Sequence, residues 1–188
     1  MKNFLAFLAL SFCFITSSQA ENIRDYEIEA VSIGDSALKF LSINDIKNKE
    51  KYFYYKLKDY YTITYSDPSF KIFQFLNLNI KNGDTEFIIV SVEGVIRKDF
   101  SSCASQKKEI EKELRSQFKD QRFVQGKKSV SDGAQYLSSS LYFSDKSAIR
   151  VLCTKIIDKK MIKEGYIDSL RVVINSKEFT EFLTKVYK

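Results

Sequence analysis

The chain has 188 residues, 44% of them hydrophobic, and a formal net charge of +6. That is one domain's worth of chain with enough apolar residues for a real core, and six glycines, one proline and 14% aromatic residues exclude a low-complexity polymer. The lack of histidine excludes Ser-His-Asp and Cys-His catalysis and every His-ligated metal site, and three cysteines cannot form a four-cysteine zinc site.

Residues 1–20 read as a secretory signal peptide. Lys2 supplies a positive start, Phe4 to Ile15 form an apolar and small-residue run, and Ser18 and Ala20 stand at the −3 and −1 positions of a cleavage site. The run is too short for a membrane span of ~20 residues, and Phe12 before Cys13 argues against lipoprotein processing. Cleavage after Ala20 predicts a single domain over 21–188, starting at Glu21, with no transmembrane segment and a periplasmic or secreted location. Six arginines against twenty-four lysines argue against nucleic-acid readout, which leans on bidentate arginine contacts. Loss of Cys13 leaves Cys103 and Cys153, an even pair that in an exported chain predicts one disulfide.

Along the domain, Tyr26 to Ala30 alternates apolar and acidic residues and predicts a strand, with Gly34 as a turn and Asp35 capping a two-turn helix through Leu38 and Leu41. Ser42 and Asp45 predict the cap of a second helix running toward Lys49. Phe53, Tyr55 and Leu57 alternate, as do Tyr61, Ile63 and Tyr65, with a bend at Lys58-Asp59. Asp67-Pro68 marks a turn. Asn82-Gly83 joins the apolar runs 72–80 and 86–97 into a hairpin.

Ser101 or Ser102 begins a helix of about five turns, with Cys103, Ile110, Leu114 and Phe118 on one stripe and Lys107 as its exception. Glu111 and Arg115 are expected to pair on the wet side. Residues 119–135, ending at Asp132-Gly133, read as a polar, mobile loop. Leu137, Leu141 and Phe143, then Ile149, Val151 and Cys153, predict a second hairpin about Asp145-Lys146. A strand carrying Tyr166, Leu170, Val172 and Ile174 follows Gly165, and Ser176 caps a last helix with Phe179, Phe182, Leu183 and Val186 on one stripe. Strands arriving in hairpin-joined runs predict an α+β fold, an antiparallel sheet of six to seven strands with helices packed on one face and the disulfide tying the long helix to a late strand.

Several constellations could carry chemistry. Ser36-Ala37-Leu38-Lys39 matches S-x-x-K, in which the lysine assists deprotonation of the serine, and Ser131-Asp132-Gly133 weakly matches the companion motif, but no K-T-G follows. Asp25, Glu27 and Glu29 on one strand face, with Asp35, could form a Ca²⁺ or carboxylate-pair site, although a regular strand offers no oxygen cage. The tyrosines at 52, 54, 55, 60 and 61 could stack a planar ligand or form cross-strand pairs. Lys119, Arg122, Lys127 and Lys128, with Lys155, Lys159, Lys160 and Lys163 further on, form a candidate basic binding surface for an anionic envelope component or an acidic protein.

The stretch from Tyr26 to Ser36 resembles the opening pattern Y-x-I-E-G-x-S-I-G-D-S of a group of small, uncharacterised exported proteins from AT-rich marine alphaproteobacteria, with Ala30 in place of the Gly. Ile174 to Phe179 is similar to their closing strand-to-helix junction. The resemblance implies export and a shared fold, and no activity or functional residue. No catalytic residue, metal ligand or cofactor is assigned. The expectation is a non-enzymatic periplasmic domain that binds a protein or an envelope component. The alternative is a small hydrolase using carboxylates or a Ser-Lys pair.

Overall fold

A computed structural model describes residues 23–54 and 57–186. The signal segment 1–20, the proposed new start at Glu21 and Tyr55 lie outside the described residues. The chain opens with a short hairpin, β1 (Glu27–Ile28) and β2 (Val31–Ser32), followed by a 3-10 turn at Ala37–Lys39 and helix α1 (Ile43–Asn48). Then come β3 (Tyr52–Phe53), β4 (Tyr60–Tyr65), β5 (Phe75–Lys81), β6 (Ile89–Arg97) and the long helix α2 (Phe100–Gln117). The second half holds β7 (Arg122–Gln125), β8 (Ser129–Ser131), β9 (Ala134–Tyr142), β10 (Ala148–Ile156), α3 (Lys159–Lys163), β11 (Ser169–Asn175) and α4 (Lys177–Val186).

Nine strands form one antiparallel sheet in the order β3-β4-β5-β6-β11-β10-β9-β7, with β8 also pairing with β9. The first four are a meander. α2 then carries the chain across one face to the far edge, and the later strands return until β11 lies beside β6. The α+β class and the antiparallel sheet are as expected, whereas the count of six to seven strands is too low. The segment 119–135 accounts for part of the difference, for it forms β7 and β8 rather than a loop.

Helices also cover both faces, not one. Side chains alternate along a strand, so Tyr61 and Tyr60 point oppositely. Tyr61 and Ile63 join the main core with Cys103, Ile110 and Leu114 of α2, whereas Tyr60 and Val90 pack with Phe179 and Phe182 of α4. The rest of that second face is polar: Asn79 accepts from Tyr54 and Thr62, and Ser91 donates to Asn175 at 2.7 Å.

Local signals explain the elements that match. Ser42 and Asp45 form a reciprocal capping box on α1. The Ser176 hydroxyl accepts from the Phe179 N–H of α4. Cys103 and Cys153 are bonded, 5.8 Å apart at Cα, and tie the first turn of α2 to β10. The N-cap of α2 is Asp99 rather than Ser101 or Ser102; hydrogen bonds from Ser101 and Ser102 hold its carboxyl far below the usual carboxylate range. Near the start of the domain, Ser36 rather than Asp35 caps a single 3-10 turn, and Tyr26 to Ala30 is not one strand. The chain reverses at Glu29-Ala30, whose φ angles of 52° and 64° make the turn that a two-residue hairpin requires.

Among the described residues no helix is long and apolar enough to cross a membrane.

Candidate ligand-binding cavity

The core face of the sheet is not fully covered by α2. Between them lies a cavity of about 610 Å³. Its floor is aliphatic: Ile96 of β6, Leu170, Val172 and Ile174 of β11, and Ile149 of β10. These positions share a face because their strands are in register, with Ile96 opposite Leu170 and Ile149 opposite Ile174. Four residues separate Leu170 from Ile174, so the floor runs ~13 Å along β11 at ~3.4 Å per residue. Ile110 and Leu114 of α2 form the roof.

The remaining wall comes from two segments outside the main sheet, the β1–β2 hairpin and the 69–73 segment. The sequence suggested that β5 begins at Ile72. Instead it begins at Phe75, which leaves Phe70, Ile72 and Phe73 free to turn inward. Phe73 lies directly on Gly94, where an added Cβ would stand 2.5 Å from the ring. Gly94 is therefore required for close approach, not for a turn.

Glu29 fastens the two segments together. Its carboxylate accepts from the backbone N–H groups of Lys71, Ile72 and Phe73 at 2.7–3.1 Å. Successive amides aimed at one carboxylate are charge-assisted donors of the strong kind. Tyr26 lines the cavity and contacts Phe118 edge-on, with ring centroids 5.0 Å apart. Burial first, and the charge of Asp25 second, push its hydroxyl pKa up to about 12.

Besides the Tyr26 hydroxyl, polar side chains on the lining are few: Glu27, Glu29, Ser69, Lys71, Gln106 and Glu113. Among the described residues the lining contains no pair of nucleophile and base. An aliphatic slot of this volume, within the ~300–1,000 Å³ range of small-molecule sites, can hold an apolar body and meet a polar end at its rim.

The constellations suggested by the sequence lie elsewhere. Ser36 donates its hydroxyl to the Glu86 carbonyl at 2.5 Å and accepts from Leu38 N–H, while Lys39 pairs with Asp35. Both partners of the S-x-x-K match are thus engaged by other groups. Lys39 and Asp35 border a second, polar cleft of about 510 Å³ beside the β1–β2 hairpin. Asp132-Gly133 is a two-residue hairpin turn with φ of 47° and 74°, joining β8 to β9. The acidic set does not share a strand face: Asp25 lies in a 3-10 turn and Glu29 is clasped by backbone amides. No group of three or more potential metal-ligating side chains gathers among the described residues.

Tyr54 and Tyr60 pack edge-on or tilted against Phe179 and Phe182 of α4, which accounts for them without a ligand. Lys119, Arg122, Lys127 and Lys128 are all exposed, and none lines the cavity. Arg122 begins β7 beside the Tyr142 ring, whereas Lys127 and Lys128 connect β7 to β8. Five residues of extended chain, ~16 Å, separate Arg122 from Lys127. In the second basic set, Lys160 reaches Glu164 at 3.8 Å.

One buried polar cluster was not anticipated. Glu111 does not pair with Arg115 on the wet side. It is buried and pairs with Lys107, and the Ser139 hydroxyl of β9 lies 2.6 Å from both Lys107 Nζ and Glu111 Oε1. Arg115 stacks on Phe123 instead, 3.7 Å from the ring centroid. The only advance sign was that Lys107 interrupts an apolar stripe.

The chain matches no protein-family model, no curated protein and no solved structure.

Proposed function

We propose that this chain is an exported, non-enzymatic binding domain whose ligand is an apolar or amphiphilic small molecule of the cell envelope, held between α2 and the sheet. The observation that carries the reading is the cavity of about 610 Å³ with an aliphatic floor and roof. A domain of this size ordinarily packs such a face against its helix, because each Å² of apolar surface withdrawn from water contributes ~25 cal/mol. The engaged states of Ser36 and Lys39 support binding over hydrolysis. Export through residues 1–20 with cleavage after Ala20 belongs to the same reading, supported by the Cys103–Cys153 bond, since disulfides persist in oxidising compartments. So does kinship with the small exported proteins whose opening the chain resembles. Position 30 has φ +64°, a conformation glycine adopts freely, and glycine is what their pattern carries there.

The test has two parts. Intact mass of protein from the exported fraction should begin at Glu21 and gain two hydrogens on reduction; a full-length, reduced chain overturns the export reading. Titration with the neutral fluorescent probe N-phenyl-1-naphthylamine should saturate at one probe per chain. Val172→Phe and Ile96→Phe, each folded by circular dichroism, should abolish the signal by filling the floor. Binding undiminished in both variants, or no binding at all, refutes the cavity reading.

A further inference from the structure

The charge of the cavity lining is opposite to that of the molecule. The chain carries a formal +6, yet the lining holds three carboxylates, Glu27, Glu29 and Glu113, against one lysine, Lys71. Glu113 lies five residues before Phe118 on α2, and Phe118 contacts Tyr26, the neighbour of Glu27. Both carboxylates line the cavity, one from the β1–β2 hairpin and the other from α2. Gln106 lies seven residues or ~10 Å back along α2 from Glu113, and its side chain accepts from Lys98 at 2.5 Å. Glu29 is satisfied by three backbone amides, and Lys71 follows it on the clasped segment. Glu27 and Glu113 make no side-chain hydrogen bond or ion pair among the described residues; Glu113 is half-buried, whereas Glu27 is exposed and also borders the second cleft.

Resting on the cavity reading above, we infer that the ligand is a single-chain amphiphile with a cationic amine head, its apolar chain along β11 and its head against the lining carboxylates Glu27 and Glu113. An aliphatic slot alone accepts any chain of the right length. Glu27 and Glu113, without a side-chain partner among the described residues, supply what would select the head, by attraction for an ammonium and repulsion of a carboxylate. The surface charge of the whole chain works the other way, drawing anions, so a preference for cations reports the slot and not the general field.

The test compares three probes of one chain length below their micelle concentrations: dodecylamine, dodecanol and dodecanoate, each displacing N-phenyl-1-naphthylamine from the disulfide-bonded protein. Dodecanol binding reports the apolar slot by itself. The inference expects dodecylamine to bind about fivefold or more tightly than dodecanol, and dodecanoate correspondingly more weakly, as partly exposed ion pairs contribute. Glu113→Gln and Glu27→Gln should each reduce, and together erase, the amine preference, read as the ratio of dodecylamine to dodecanol affinity within each variant. If dodecanol binds and the amine shows no preference, or the preference survives the double variant, the head-group inference fails and the cavity reading stands. If none of the three binds, the cavity reading itself fails.

Discussion

Replacing Glu111 by glutamine should be among the most damaging single-atom changes available in this protein. The Lys107 side chain is 2% exposed and that of Glu111 10%, so neither charge is solvated and each depends on the other. Glu111→Gln keeps volume and shape but leaves a buried ammonium facing a neutral amide and the Ser139 hydroxyl. Removing one partner of a buried ion pair costs about 3–5 kcal/mol. With a urea m-value of ~1–3 kcal/mol/M, a loss of about 3 kcal/mol moves the unfolding midpoint down by ~1–3 M. Lys107→Met, which leaves the carboxylate with only the serine, should cost a similar amount.

Removing the whole cluster tests the same physics from the other side. Lys107→Met with Glu111→Leu eliminates both charges but orphans Ser139, whose buried hydroxyl then costs about 1–3 kcal/mol. Adding Ser139→Ala should restore stability to within about 1 kcal/mol of the natural chain, or raise it, because the desolvation penalty of two ions disappears. Urea unfolding followed by circular dichroism, with the disulfide intact, reads all four variants. The reasoning is refuted if Glu111→Gln unfolds at the natural midpoint, or if the triple variant is less stable than either single one.

Ala30→Gly should stabilise the domain by about 1 kcal/mol, because residue 30 sits at φ +64°, a conformation that costs an L side chain ~1–2 kcal/mol; a raised melting temperature checks it. Glu29→Ala should release the 71–73 segment, and faster hydrogen exchange at the Ile72 and Phe73 amides, which donate to Glu29 at 2.7 and 3.0 Å, is the readout. Alkaline titration should show Tyr26 and Tyr60 ionising near pH 12, both raised chiefly by burial. Their folded pKa lies above the ordinary value of 10, so the stability they contribute is complete below pH 10 and falls as pH rises from 10 toward 12, when only the unfolded chain has lost those protons. A midpoint unchanged over that interval would contradict the burial of both rings.

The parts of this fold that could be read from sequence are those written locally. The Ser42–Asp45 capping box, the Phe179–Phe182 stripe, the hairpin about Asp145-Lys146 and the cysteine pair each declare themselves within a few residues or by counting. The hairpin across Asn82-Gly83 forms too, although only Gly83 of that pair takes positive φ and β6 resumes at Ile89. Edge strands were harder. In β8, Ser129-Val130-Ser131 is exposed throughout, so no core-facing alternation marks it, and Asp132-Gly133 could be read as the end of a loop. The reversal at Glu29-Ala30 carries no glycine to announce it. The cavity left no trace, since Ile110, Leu114, Val172 and Ile174 give the same apolar periodicity whether they touch each other or face a gap. Its carboxylate lining is equally hidden, because Glu113 on an otherwise charged helix has the pattern of a solvated residue.

A gap of this kind persists only if the helix above it cannot settle onto the sheet. α2 is fastened at both ends: Cys103 is bonded to Cys153, and fifteen residues later Phe118 packs edge-on against Tyr26 and Phe143 at 5.0 and 5.4 Å. Between these anchors one flank of the helix meets Ser139 through the Lys107–Glu111 pair, and the other flank roofs the cavity with Ile110 and Leu114. The chain-entropy model assigns about 4 kcal/mol to a disulfide closing a loop of 50 residues, but its geometric effect is separable from that stabilisation. Cys103→Ala with Cys153→Ala frees the first turn of α2, and burial of the floor then favours descent of the helix. Well below its melting temperature, this variant should bind N-phenyl-1-naphthylamine more weakly than the oxidised protein while its circular dichroism is unchanged. Equal affinity would mean that the bridge stabilises the fold without holding the cavity open, and that the aromatic anchor and the buried ion pair suffice for it.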